Sequence, residues 1–195
     1  LFADAENFKV LKAARAVEHQ GIATPILLGN REVITRLAEQ NNIEIDDLKI
    51  VDMHSAEEEE RRKRFAKLLY WKRQRKGMTH EEALDRVRDP NYFGVLMVES
   101  GEGDGFLAGV STKYANTIRP ALQIVGTDNS LNHIAGMYIV LTKTGPFFFA
   151  DTTVNINPNA RTLADITLMV ANEVRKFNIE PHIAMLSYSN FGSNR

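Results

Sequence analysis

Helices alternate with short apolar strands along most of this 195-residue chain, which predicts an α/β fold with a largely parallel sheet. Two further observations divide it. The polar stretch TDNSLN, residues 127–132, interrupts the pattern just after Gly126 and reads as a hinge. Beyond it, two strand-like runs are separated only by Lys143-Thr144-Gly145, which predicts a hairpin. The expected organisation is a first α/β domain over residues 1–129 and a second over residues 130–195.

The elements follow in order. Phe8, Val10, Leu11, Ala14 and Val17 share one face of a helix over residues 6–20, and Gly21 stops it. TPILLGN, residues 24–30, is a short buried strand bounded by turn residues. REVITRLAEQ, residues 31–40, is a second helix, and KIVDM, residues 49–53, a second strand. EEEERRKR, residues 57–64, places each glutamate four residues before a cation: Glu57–Arg61, Glu58–Arg62, Glu59–Lys63 and Glu60–Arg64. Such pairs support a solvated helix face by roughly 0.2–0.5 kcal/mol each. That helix continues to Lys76 and ends at Gly77.

Thr79 and Glu82 have capping-box spacing for a helix from His80 to about Val87. Asp89-Pro90 opens another, which buries Phe93, Leu96, Met97 and Val98. Residues 105–110 form a strand, followed by a polar loop and a helix running through Leu122 and Val125. After the hinge come MYIVLT and PFFFADTTVN, the two arms of the hairpin. TLADITLMVANEVRKF is an amphipathic helix with Arg175 and Lys176 near its C-terminus, where cations suit the dipole. HIAMLSYS, residues 182–189, is a buried strand leading into the loop NFGS.

Composition narrows the function classes. A net charge of −1 offers no global field for nucleic acid or an acidic membrane. No apolar run reaches the ~18 residues that span a bilayer. The chain has no cysteine, which removes disulfides, thiolate metal sites and cysteine nucleophiles and fits a cytoplasmic location. The abrupt ends, Leu1-Phe2-Ala3-Asp4 and Ser193-Asn194-Arg195, suggest an excised piece.

Several residues stand out as candidate ligands. Arg119 reads as opening a helix beside Lys113, Tyr114, Asn116 and Thr117. A helix N-terminus presents free N–H groups to an anion, and a guanidinium adds a two-pronged donor. GEGDG, residues 101–105, fails as a dinucleotide loop because the third glycine of that motif would fall on Phe106 and the segment precedes a strand. It reads as a helix-to-strand turn whose Asp104 can orient site groups. SYSNFGS closes a strand with hydrogen-bonding side chains, so Ser187, Ser189 and Asn190 are candidates for a ligand crevice. Arg73, in YWKRQRKG, reads from spacing alone as a surface arginine. No pair among the five histidines has metal-ligand spacing, and no metal is expected on this segment. No Ser-His-Asp arrangement can be read from the order of residues.

The stretches LKAARAVEHQGIATPILLGN, RKGMTHEEALDRVRDPNYFG, GEGDGFLAG, NTIRPALQIVG, FADTTVN, ARTLADI and EPHIAMLSYSNFGS together resemble the phosphate acetyltransferase family along essentially the whole chain. The resemblance implies two α/β/α three-layer domains with a cleft between them, of isocitrate/isopropylmalate dehydrogenase-like architecture. Here the second would be C-terminally incomplete. It also implies a homodimer or higher oligomer and acetyl transfer between coenzyme A and phosphate.

DTTVN and LSYSNFGS look like one branch, the C-terminal region of multidomain NADP-dependent malic enzymes. In that branch malate is decarboxylated to pyruvate with NADP and Mg or Mn on an N-terminal region not present here. Similar acetyltransferases carry S-T-A-D-T-L-R-P where this chain has Lys113-Tyr114-Ala115-Asn116-Thr117-Ile118-Arg119-Pro120. Two hydroxyls facing phosphate have become two large side chains, and the family's N-D-L-S-R-G segment lies beyond Arg195. The resemblance also matches Arg73 to a second functional arginine.

The expected role is therefore a regulatory and oligomerisation domain that binds acetyl-CoA without turnover. The alternative is a working phosphate acetyltransferase, with Arg119 clamping phosphate and Arg73 contacting substrate. A third reading is a purely structural oligomerisation module.

Overall fold

The computed structural model describes residues 1–127 and 133–187. The chain divides into two compact units, Leu1–Gly126 and Thr127–Arg195.

The first unit is built on parallel extended segments. Strand β1 (Ile26–Leu28) pairs in parallel with β2 (Lys49–Val51), with Leu27 opposite Ile50. Phe2 bridges in parallel to Leu27 on one side and Leu107 on the other. The strand expected over residues 105–110 is therefore reduced to a single bridge at Leu107, with the Leu107 N–H donating to the Leu1 carbonyl at 2.8 Å. It pairs along one side only, and the sequence pattern could not show how short that pairing would be.

Helices cover both faces of this sheet because successive strand residues point opposite ways. Leu27 packs with Leu11 and Ala14 of α1 (Phe8–His19) and Ile34 and Ala38 of α2 (Arg31–Gln40). Leu28 packs on the other face with α3 (Glu59–Arg73), α4 (His80–Arg86), α5 (Pro90–Glu99) and α6 (Tyr114–Ile124). The helix ends follow their sequence signals. Asn7, Asn30, Thr79 and Asp89 cap α1, α2, α4 and α5 with their side chains, and Gly77 takes a left-handed φ of +87° beyond α3.

The charge run on α3 does not pair as expected. Of the four predicted pairs only Glu59–Lys63 forms, at 2.8 Å. Arg61 pairs with Glu58 at 2.7 Å and with Glu102 at 3.1 Å, and Arg64 also joins Glu102. Arg62 donates to the Met53 and Ser55 carbonyls at 2.7 and 2.6 Å. Tertiary acceptors outcompete an exposed pair worth a few tenths of a kcal/mol.

Gly94 marks the tightest approach between α5 and the sheet. A Cβ there would lie 2.2 Å from Phe106 Cε2 and 2.9 Å from Leu28 Cδ1. Alanine normally favours a helix interior over glycine. Here Gly94→Ala is expected to lower stability by about 1–3 kcal/mol through overpacking. An unchanged or raised melting midpoint would contradict this packing.

The second unit departs from the largely parallel expectation. β3 (Met137–Thr142) and β4 (Gly145–Ala150) form the predicted hairpin, antiparallel from Met137↔Ala150 to Thr142↔Gly145. The Thr142 hydroxyl donates to the Gly145 carbonyl at 2.8 Å and accepts from the Thr144 N–H at 3.2 Å, which fixes the turn. Helix α7 (Ala160–Arg175) is capped by Asn159 and packs on β4, burying Ile166, Ala171 and Val174. The strand expected over residues 182–189 is not formed where it is described. Residues 181–187 carry no regular structure, and Ile183, Met185 and Leu186 are exposed. A strand needs a neighbour for its backbone groups, and among the described residues none pairs with this segment. With Phe148, Ile166 and Val170, Ile183 and Met185 line a groove of about 350 Å³.

After β4 the Asp151 carboxylate gathers donors. It accepts from the backbone of Gly136 at 2.8 Å, Val154 at 3.1 Å and Asn155 at 2.6 Å, and from the Asn155 side chain. Burial alone would raise its pKa. The N–H groups of Gly136, Asn155 and Thr153 overcome that and hold it at about 2, against an ordinary 3.8. A depressed carboxylate stabilises the fold above its unfolded pKa and loses that contribution as pH falls through the folded one. Asp151→Asn is therefore expected to destabilise at neutral pH, with the difference from the natural chain closing between pH 3.8 and about 2. Circular-dichroism melts at stepped pH check this, and a difference that persists at the acid end would refute it.

Candidate anion-binding site

The charges of three arginines from three helices act on one phenol. Tyr92, in the first turn of α5, is nearly buried, and its hydroxyl donates to Gln123 Oε1 of α6 at 2.7 Å. Burial raises the phenol pKa. The charges of Arg86, Arg119 and Arg73 pull it back, and Asp89 adds to the rise. Arg73 is the last residue of α3 and Arg86 the last of α4. The Arg86 guanidinium carbon lies 5.7 Å from the Tyr92 ring centroid.

Among the described residues, Arg73, Arg86 and Arg119 make no ion pair and no side-chain hydrogen bond. The nearby carboxylate, Asp89, is occupied at Oδ1 by the Asn91 and Tyr92 N–H groups, at 2.8 and 3.2 Å. Like charges beside a carboxylate already used as a helix cap can be matched by a bound anion.

Arg119 does not open its helix. α6 starts at Tyr114, with Lys113 as N-cap, so Arg119 lies in the second turn and Pro120 inside the helix. The proline rule placed the helix start too late. Buried Pro120 is held by packing despite its missing N–H. The Asn116 and Thr117 N–H groups donate to the Lys113 carbonyl at 2.9 and 3.4 Å, and Arg119, in the second turn, contributes as a side chain only.

Lys113, Tyr114 and Asn116 are exposed at this helix start. The Thr117 hydroxyl lies 3.0 Å from that of Thr112, which ties the first turn back to the preceding loop. Asp104 is exposed in the turn after α5, and no hydrogen bond or ion pair joins it to the arginines. Ser187 lies exposed in the second unit, and Ser189 and Asn190 fall outside the described residues.

Sequence reasoning missed Arg86, Tyr92 and Gln123. Tyr92 sits in the apolar run YFGVLMV and reads as plain core, so only the adjacent Asp-Pro signal, which places it at a helix start, hinted otherwise. No group of three or more His, Asp or Glu side chains suited to a metal occurs among the described residues. No helix among them is long and apolar enough to cross a membrane.

A helix-covered α/β unit that brings unpaired guanidinium charges from three helices to bear on one phenol defines a candidate anion-binding protein. Comparison with known proteins is more specific. The family model described as Phosphate acetyl/butaryl transferase matches residues 1–195, and the chain belongs to that family. It is 35% identical over 197 residues to a phosphate acetyltransferase of Acetivibrio thermocellus, covering 97% of this chain and 58% of that protein. It is also similar to an NAD-dependent malic enzyme of Rhizobium meliloti, 31% identical over 194 residues, covering 99% of this chain and 25% of that protein. Among solved structures, the EutD phosphotransacetylase from Staphylococcus aureus matches with a TM-score of 0.84 at 27% identity, covering 100% of this chain and 58% of the solved one. The chain thus spans well under two thirds of the relatives it matches.

Proposed function

We propose that this phosphotransacetylase-like chain binds acetyl-CoA at the Arg73–Arg86–Arg119 cluster without turning it over, and that it regulates a malic enzyme of which it forms part. The observation that carries this reading is the set of unpaired guanidinium groups around Tyr92, with the local carboxylate, Asp89, committed to capping α5. The cluster keeps donors for phosphate oxygens of a coenzyme A carrier. Acyl transfer between thioester and phosphate also needs a proton acceptor for the thiol in one direction and a donor to the thiolate in the other. Asp89 holds the α5 cap through Oδ1, and that role competes with either task.

Lys113 and Tyr114, at the start of α6, stand where the acetyltransferase resemblance implies hydroxyls. The likeness to a malic enzyme and the stretch DTTVN support the larger context. In that context malate oxidation with a nicotinamide cofactor and Mg or Mn belongs to another region, and the chain assembles as a homodimer or higher oligomer. Binding would regulate only through unequal affinity for two states of the parent.

The rival reading, an active phosphate acetyltransferase with Arg119 and Arg73 on the substrate, is favoured by the higher identity to a protein of that name. Titration of the full-length polypeptide with acetyl-CoA, paired with an acetyl phosphate assay, separates the two. The proposal expects binding heat and no turnover. Absence of heat at millimolar ligand sinks it, and turnover on the order of 1–10³ s⁻¹ selects the rival.

A further inference from the structure

We infer that Tyr92 and Gln123 act as a positioning pair that sets the rotation of α6 and so aims Arg119 at the ligand. This rests on the anion-binding reading of the same site. Arg119 and Gln123 are four residues apart, so they share one face of α6. The helix buries Pro120 and Ile124 and packs mainly on α5, with further contact to α3. The Tyr92 hydroxyl reaches Gln123 Oε1 at 2.7 Å, one turn beyond Arg119, and ties that face to α5.

The anchor itself is rigid. Tyr92 lies in the first turn of α5, its N–H bonded to the Asp89 cap at 3.2 Å, beside Pro90 and the fully buried Phe93. The Arg86 guanidinium carbon lies over its ring, 5.7 Å from the centroid. A misplacement of about 1 Å in a positioning group can cost roughly 100-fold in function, so a pin one turn from the guanidinium has leverage. Neither residue need touch the ligand.

The test is a set of acetyl-CoA titrations on the full-length polypeptide, each variant paired with a melting curve. Tyr92→Phe keeps the ring and removes the hydroxyl, while Gln123→Met keeps the length and removes the acceptor. Each is expected to weaken binding about 3- to 10-fold, as for one lost hydrogen bond. The double variant should be no weaker than either single one. In an Arg119→Ala background, Tyr92→Phe should have no further effect, a coupling that a merely structural tyrosine would not show.

If the natural protein binds and Arg119→Ala weakens it while Tyr92→Phe and Gln123→Met do not, the inference alone is overturned. Additive losses overturn it too. Absence of binding by the natural protein overturns the anion-binding reading and the inference together. Should Tyr92→Phe prove unstable, Gln123→Met, whose side chain is half-buried, carries the same test.

Discussion

Arg119→Ala is expected to weaken acetyl-CoA binding by about 10- to 100-fold while leaving the melting midpoint within a degree or two. A hydrogen bond to a charged group contributes about 1.5–3 kcal/mol, and each 1.4 kcal/mol is tenfold in affinity. The stability side of the expectation comes from the surroundings. Arg119 is exposed and, among the described residues, has no ion-pair or side-chain hydrogen-bond partner to strand. Surface changes of that kind usually fall within about 0.5 kcal/mol. Arg119→Lys keeps the charge and loses the planar fork, and its affinity should fall between the two. Calorimetric titration with parallel melts reads both quantities. Equal affinity in the natural protein and the alanine variant would remove Arg119 from the site.

The helices were legible because their ends are written locally. In the Thr79–Glu82 capping box the Thr79 N–H donates to Glu82 Oε2 at 2.9 Å, and the Glu82 N–H donates to Thr79 Oγ1 at 3.1 Å. The spacing of two residues was enough to find it. Strands were less legible because a strand is defined by its neighbour. Residues 105–110 and 182–189 have the apolar content of strands, yet the first pairs at one residue and the described part of the second pairs nowhere. The α3 charges show the same limit, since Arg62 bonds the Met53 and Ser55 carbonyls in the loop after β2 rather than Glu58 four residues before it.

The candidate site was half legible. Arg119 drew notice as an arginine beside a proline, although the helix start inferred from that proline was wrong. Arg73 drew notice only through family resemblance. Their meeting at Tyr92 joins residues 73, 86, 92 and 119, and no local rule relates positions that far apart in the chain. Tyr92 in particular was hidden by its own burial, because an aromatic in an apolar helix reads as core until its hydroxyl partner is seen.

Phe93→Ala should be the most destabilising of the substitutions considered, costing about 3–5 kcal/mol. Phe93 is fully buried, and its ring meets Phe65 of α3 edge-on at 5.1 Å between centroids. Around it lie Leu69 of α3 and Leu96 and Met97 of α5, all fully buried, so the surroundings cannot collapse cheaply onto the hole. Against the 5–15 kcal/mol typical of a whole domain, such a loss brings the first unit close to unfolding at ambient temperature. The effect should also reach the candidate site, because Tyr92 and Phe93 are neighbours in the first turn of α5 and the Phe65–Phe93 contact holds that turn against the helix that ends in Arg73. Phe93→Leu, which restores most of the volume, should cost less than about 1.5 kcal/mol and recover both stability and acetyl-CoA affinity. Denaturant midpoints at constant slope measure the first quantity and titration the second. A Phe93→Ala variant that unfolds at the natural midpoint would mean that α5 does not pack on α3 through this ring, and the convergence of Arg73 with Arg119 at Tyr92 would lose its structural basis.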